Sequence, residues 1–490
     1  KLISSSLLAS SLYANPRMML DPAEAAKKLV SVLPELSEDE LKEKFSRDKA
    51  FIWVKRNLHP RQKYEINNLG IPGLYFEDEE KRIYPQGNLF SHVLGMVGID
   101  NNGLTGMEKY LDGLKRFELD RILSEGDLKT SLDVRIQGIV KQEVEKQFEK
   151  HKAKRATGIV MDVNNGEIIS LVNLPDYDPN RPSEIDNTAT FNMGTLGSYE
   201  LGSVFKPITF AAALELGEID LDDVIDATKP IYKYDHRIAD FHAKERELTV
   251  PEVLMYSSNI GTAKIAEKIG GERIKEYFRK LNFNDKLDIQ IAERGNPILP
   301  KKWRKITTLT ASYGHGIAVT PLHIVSAFAS IVNGGLYYQP TLIKTSELDR
   351  EVEGKRVFSK ETSDTMRKML RLVVSEGSGK RAKTDGYFIG GKTGTAEKLN
   401  ESGNYDSDLL VSSFIAAFPM NKPKYAVFVM LEEPQSTKDT WGFATGRWVS
   451  APAVSRIITK IAPLLRIKPV DEEDSQIKKQ FHIDYELKSL

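Results

Sequence analysis

The sequence predicts an α/β protein with more than one domain, and three observations carry that expectation. At 490 residues the chain is too long for a single ordinary core. Runs of helical period alternate along it with short β-rich runs. Strand-like apolar runs gather at 157–173 and again at 388–431, on either side of a long helix-rich stretch. Those terminal strands are expected to make one largely antiparallel sheet flanked by helices.

Composition excludes several classes of function. With 40% hydrophobic and 28% charged residues the chain is globular and not disordered. A net charge of zero offers no electrostatic footprint for nucleic acid or anionic lipid, so no nucleic-acid partner is expected. The absence of cysteine removes disulfides and thiolate chemistry; it fits an exported protein without fixing the compartment. No run approaches the roughly 18–20 apolar residues that span a bilayer. The opening Lys1-Leu-Ile-Ser-Ser-Ser-Leu-Leu-Ala9 is too polar and too short for a complete signal peptide and reads as cut from a longer sequence.

Taken in order, 5–15 reads as a strand ended by Pro16. Asp21-Pro22 opens a helix, with Asp as N-cap and Pro in the first turn, and Ala26, Leu29, Val30 and Leu33 keep its apolar spacing. Ser37-Glu-Asp-Glu40 is a capping-box pattern ahead of a short amphipathic helix to Phe45. Residues 51–54 read as a strand and 60–69 as a helix. Asp100-Asn-Asn-Gly103 lacks the spaced carboxylates of a calcium loop and reads as a turn. A helix is expected over 134–151. Two β-rich runs then flank Asn164-Asn-Gly166, a hairpin signal. An Ala-rich helix is expected from Gly202 to Leu216, an amphipathic one over 260–269, and another from Pro321 towards Gly335. Strands at 388–398, 411–418 and 424–431 precede a closing helix to Leu465. The mixed-charge remainder is expected on the surface or poorly ordered.

Chemistry enters at Leu201-Gly-Ser-Val-Phe-Lys-Pro207. Ser203 and Lys206 lie three apart at the start of a helix, so both side chains share one face. A lysine amine that can lose its proton is a base for a serine nucleophile. Ser46-Arg-Asp-Lys49 and Ser475-Gln-Ile-Lys478 have the same spacing in charged, solvated segments, so the pair alone carries little. Ser203 is distinguished by two downstream motifs: Ser257-Ser-Asn259, then Lys392-Thr-Gly394, the only Lys-Thr-Gly in the chain. His236, His242 and His315 suggest a metal or a base, but two histidines without further ligands are ordinary loop residues. Ser/Lys chemistry requires no His315, and neither a metal nor a cofactor is expected.

Ser-x-x-Lys, Ser-x-Asn and Lys-Thr-Gly, in that order, are the signature set of penicillin-binding proteins and serine β-lactamases, and the chain resembles that family. The ordered segments Arg82-Ile-Tyr-Pro-Gln-Gly87, Leu94-Gly-Met-Val-Gly98, Gly103-Leu-Thr-Gly-Met-Glu108 and Leu111-Asp-Gly-Leu114 look like the N-terminal module of its class B members. So do Leu128-Lys-Thr-Ser-Leu-Asp133, Pro175-Asp-Tyr-Asp-Pro-Asn180 and Ser312-Tyr-Gly-His-Gly316 with other parts of the class. The resemblance implies a non-catalytic α+β pedestal over 1–153, a transpeptidase domain over 154–466 with an all-helical lobe beside its sheet, and a charged tail over 467–490. It implies Ser203 as nucleophile, Lys206 as base, Ser257 as a proton relay, and Asn259 holding Lys206 and the substrate amide. Lys392, Thr393 and Thr395 would receive a substrate carboxylate. Gly394 would let the substrate backbone approach, and the N–H groups of Ser203 and Thr395 would hold the oxyanion. In Lys206, both desolvation and the charge of Lys392 are expected to depress the pKa.

The implied function is a D,D-transpeptidase that cross-links peptidoglycan stem peptides through an acyl-enzyme and is acylated by β-lactam antibiotics. Residues 82–114 and 441–452 look most like the septal, cell-division enzyme of Gram-negative bacteria, with the elongation-specific homologue as near alternative. Val204-Phe205 departs from the small pair seen in many septal enzymes. The implied partners are a polytopic lipid II polymerase and other divisome proteins. The implied location is the inner membrane, through a helix absent from this chain, with these residues in the periplasm. A β-lactamase or carboxypeptidase is opposed by the large N-terminal module and by the lack of a Glu-x-x-Leu-Asn segment between the second and third motifs. A non-catalytic β-lactam sensor would need several membrane helices upstream.

Overall fold

The computed structural model describes residues 1–122, 126–233, 236–345, 352–400 and 402–486. Packing divides the chain into two compact units, 1–87 with 97–102, and 88–96 with 103–490. That division differs from the one expected at 153/154, because much of 103–153 packs with the larger unit.

In the smaller unit β1 (Ser5–Ala14) lies between β2 (Ile52–Leu58) and β3 (Leu74–Ile83), all antiparallel. Helices α1 (Pro22–Val32), α2 (Glu38–Phe45) and α3 (Pro60–Asn68) pack against it. Asp21 caps α1 as its sequence implies, accepting from Ala23 N at 2.9 Å and Glu24 N at 3.0 Å. Leu12, Ala14, Val54 and Leu58 from the sheet meet Leu29, Leu41, Phe45 and Ile66 from the helices in one core. Each such large apolar side chain contributes about 1.5–3 kcal/mol by leaving water. Strand β3 carries the acidic run Glu77-Asp-Glu-Glu80, whose low strand propensity conceals it in the sequence. It forms because every residue from Leu74 to Ile83 pairs with β1, while Ser10 and Lys63 satisfy Asp78 and Arg56 satisfies Glu79.

The main sheet of the larger unit has five antiparallel strands among the described residues: β4 (Arg155–Asp162), β5 (Ile168–Leu174), β6 (Gly390–Leu399), β7 (Tyr405–Phe418) and β8 (Tyr425–Glu432). Their spatial order is β6-β7-β8-β4-β5. In chain order the helices that matter are α4 (Val134–Lys150), α5 (Lys206–Glu215), α6 (Val250–Tyr256), α7 (Asn259–Ile269), α8 (Pro321–Val332), α9 (Lys360–Ser375) and α10 (Ser450–Leu464). Successive strand residues face opposite ways, and here both faces are buried. Val160, Phe414, Ala416 and Val427 join the core made with α4 and α10; Ile159, Met161, Ile415 and Phe428 join the one made with α5 and α8. That double burial is why these strands read as continuous apolar runs and not as alternating ones.

The connector over 217–249 forms two short antiparallel pairs, Val224–Asp226 with Glu247–Thr249 and Ile231–Lys233 with His236–Ile238. The C-terminal segment lies on the surface, one of its two expected states, and is anchored there. Val470 N donates to Gly386 O at 2.8 Å, Glu472 pairs with Arg371 of α9 at 2.6 Å, and Phe481 packs edge-on against Phe388. Farther on, Thr249 Oγ1 donates to Tyr485 O at 2.7 Å. Residues 487–490 of the expected tail lie outside the described residues. Among the described residues no helix is long and apolar enough to cross a membrane.

Candidate active site

The segment 201–207 forms a 3₁₀ turn, Gly202–Phe205, that feeds directly into α5. The expected helix therefore begins one tight turn later than its sequence suggests. Residues 206–213 of α5 are all buried, whereas Ser203 on the turn keeps part of its surface in solvent. Gly202 N donates to Gly314 O at 3.3 Å, so the Ser312-Tyr-Gly-His segment backs the turn. Val204 and Phe205 are buried: a Cβ at Gly394 would meet Val204 Cγ1 at 2.9 Å, and Phe205 packs on Phe283 and Phe278.

Strand β6 lies at one edge of the sheet and carries Lys392-Thr-Gly-Thr395 alongside that turn. The two approach so closely that a Cβ on Gly394 would lie 2.7 Å from Leu201 O, and one on Gly202 2.4 Å from Thr395 O. Gly202 also has φ +58, a conformation that glycine adopts without the cost of a side chain. Thr393 Oγ1 donates to Ser378 Oγ at 3.1 Å, and Thr395 Oγ1 accepts from Gly446 N at 3.1 Å.

The third motif is the junction between α6 and α7. Ser257 ends α6 in the left-handed conformation, φ 63. Lys206 Nζ donates to its carbonyl oxygen and, at 3.1 Å, to its Oγ; Lys392 Nζ reaches the same Oγ at 2.9 Å and Thr393 O at 3.1 Å. One hydroxyl thus joins two fully buried lysines. A serine O–H can accept from one amine while donating to the other only when that other amine is neutral. Burial favours that neutral state. It pushes the Lys206 ammonium down to about 7, against an opposing pull from Asp240. It holds Lys392 well below the ordinary lysine range, with repulsion from Lys206 adding to it. Desolvation is the larger cause in both.

Lys206 directs its hydrogen bonds to Ser257, and Ser203 Oγ makes no hydrogen bond among the described residues. One expectation needs correction. Asn259 does not hold Lys206: its Nδ2 donates to Ala239 O at 3.0 Å, because the start of α7 is packed against the connector. His315 stands apart from this chemistry, with Nδ1 3.2 Å from Glu200 Oε2 and its ring on Tyr405.

Two participants escape a reading of the sequence. Ser378 receives Thr393. Asp240 accepts from Ser258 Oγ at 2.7 Å, Asn259 N at 2.6 Å and Ile260 N at 3.0 Å. No local spacing marks Asp240, since its partners lie 18–20 residues onward.

Comparison with known proteins places the whole chain in one family. The penicillin binding protein transpeptidase domain matches residues 156–458, and the penicillin-binding protein dimerisation domain matches 1–170. The chain is 37% identical to the probable peptidoglycan D,D-transpeptidase FtsI of Caulobacter vibrioides, over 96% of this chain and 80% of that one. It is 31% identical to the probable peptidoglycan D,D-transpeptidase PenA of Neisseria meningitidis, over 94% and 82%. The crystal structure of penicillin binding protein 3 from Mycobacterium tuberculosis, complexed with aztreonam, superposes with a TM-score of 0.72 at 25% identity, covering 81% of this chain and 92% of that one. A dimerisation module ahead of a transpeptidase domain, with the three signature motifs drawn together around Ser257, means that the chain belongs to the class B penicillin-binding proteins.

Proposed function

We propose that the chain is a serine D,D-transpeptidase that cross-links peptidoglycan stem peptides during septal synthesis, with Ser203 as its nucleophile. The observation that carries the site assignment is the bridge from Lys206 through Ser257 Oγ to Lys392, beside the Ser203 turn. Neutral Lys206 takes the Ser203 proton as Oγ attacks the carbonyl carbon of the penultimate D-Ala. The N–H groups of Ser203 and Thr395 hold the tetrahedral oxyanion. The C–N bond then breaks, and the proton passes through Ser257 to the departing D-Ala amine. An amine from a second stem attacks the acyl-enzyme, loses its proton to the same base system, and returns Ser203 to its hydroxyl form.

Lys392, Thr393 and Thr395 receive the substrate carboxylate, and Gly394 leaves room for its backbone beside the sheet edge. The carboxylate's negative charge raises the Lys392 pKa on binding, so a lysine that burial disfavours as a cation becomes one when substrate arrives. Asn259, with its amide held by Ala239 O, orients the substrate amide only if that bond is exchanged. β-Lactams acylate Ser203 by the same attack. In this reading residues 1–153 are the pedestal, 154–466 the catalytic domain and 467–490 an appended tail. The chain works at the periplasmic face of the inner membrane beside a polytopic lipid II polymerase and other divisome proteins; the septal-type segments at 82–114 and 441–452 support this.

Incubation with a fluorescent penicillin, followed by intact mass, tests the assignment. One stable adduct on the wild type, absent from Ser203→Ala, is the expected result. An adduct that persists in Ser203→Ala refutes the nucleophile. Rapid loss of the adduct with hydrolysed drug in solution refutes transpeptidation in favour of a β-lactamase.

A further inference from the structure

We propose that Asp240 is a positioning residue for acyl transfer: its carboxylate fixes the Ser257–Asn259 junction in the conformation that presents Ser257 to both lysines. The inference rests on the acyl-transfer reading above. Ser257 is a non-glycine residue at φ 63, a strained conformation that persists only where its surroundings hold it. Asp240 supplies that hold immediately downstream. It takes the N–H groups of Asn259 and Ile260, two of the donors that the first turn of a helix leaves without partners. It also takes the Ser258 hydroxyl, whose oxygen in turn accepts from Gly261 N at 2.9 Å. Ser258 is therefore the N-cap of α7, and Asp240 fixes the cap.

The neighbouring acids of the connector behave differently. Asp226 pairs with Lys264 and Asp223 with Lys268, both on the exposed side of α7. Asp240 makes no ion pair among the described residues. Its carboxylate is committed to the junction, and the buried cation that feels its charge is Lys206. The charges facing Lys206 are Asp240 and, across Ser257, Lys392. Asp240 therefore sets the junction's shape and opposes the loss of the Lys206 proton.

The test uses the full chain, as wild type, Asp240→Asn and Asp240→Ala, with the rate of penicillin acylation followed over a pH series on both sides of about 7. In Asp240→Ala, loss of three hydrogen bonds to a carboxylate is expected to slow the acylation step by about 10–100-fold while initial penicillin binding stays unchanged. In Asp240→Asn the amide oxygen still accepts from the α7 N–H groups but the charge is gone. Its acylation rate should rise through a midpoint shifted to lower pH. Acylation within twofold of wild type and an unmoved midpoint overturn the proposal, and if Asp240→Ala does not fold, Asp240→Asn decides alone. Slowing that only tracks a lower melting temperature, with the midpoint unmoved, also overturns it. Absence of any wild-type adduct at Ser203 is instead a failure of the acyl-transfer reading. Even then, NMR titration of carbon-labelled lysines, with Lys206 assigned through Lys206→Met, reads the same downward shift in Asp240→Asn or refutes it.

Discussion

Lys206→Met is expected to lower the rate of penicillin acylation by about 10³-fold or more, within the range general-base catalysis supplies, while leaving the fold intact. Lys206 is fully buried, and methionine has similar length without a charge to desolvate, so little stability is lost. What disappears is the proposed base and one of the two amines on Ser257 Oγ. Lys206→Arg separates these roles. Arginine keeps the positive charge but does not deprotonate, so it should restore no activity. In the wild type, acylation should rise with pH through about 7, because the Lys206 ammonium is pushed down to about 7 by burial and only its neutral form accepts a proton. Stopped-flow fluorescence with a reporter penicillin measures all three. A Lys206→Met variant that acylates at the wild-type rate excludes Lys206 as the base.

Gly202→Ala should be nearly as damaging although it removes no functional group. An alanine at φ +58 would carry a Cβ 2.4 Å from Thr395 O, too close for any real contact, and the backbone of β6 cannot swing away as a side chain could. Either the 3₁₀ turn bearing Ser203 or the strand bearing Thr395 must shift. Misplacement by about 1 Å is enough to cost on the order of 10²-fold in a reaction that depends on geometry. Gly217→Ala is the matched control. It has φ +66 but open space around the added Cβ, so it should lose only about 1–2 kcal/mol of stability and keep full acylation. Equal acylation losses in the two variants would make backbone strain, and not the clash with Thr395, the cause.

Much of the proposed site was legible because the chemistry proposed for it needs particular residue types at short spacing. Ser203 with Lys206, Ser257 with Asn259, and Lys392 with Thr393, Gly394 and Thr395 each announce themselves within a few residues. Relations between segments were not legible. The sequence suggests that Lys206 serves Ser203 directly, but only the fold puts Ser257 Oγ between two lysines. Asp240 has no periodic pattern around it and acts on a helix that begins far downstream. Strand β3 was hidden by its acidic residues, of which Asp78 is held by Ser10 and Lys63 and Glu79 by Arg56. The C-terminal segment looked like a solvated tail because its anchors, Val470, Ile477, Phe481 and Ile483, are scattered singly among charges. Its single apolar contacts gain meaning only from the surface they meet.

The strand order carries a consequence for how the larger unit reaches its native state. β4 and β5 come early in its sequence, yet β4 finds its second neighbour only in β8, with Asp162 opposite Tyr425 and Arg155 opposite Glu432. The whole helical lobe is strung between them. Closing so long a loop is entropically costly before any sheet contact rewards it, which makes such topologies slow to fold. Until β8 arrives, β4 offers an open edge, apolar over Ile159–Met161, of the kind that recruits other chains. A chain growing from its N-terminus therefore makes the Ser203 turn and α5 early but cannot set β6 beside them in the complete sheet until residues 390–432 are available.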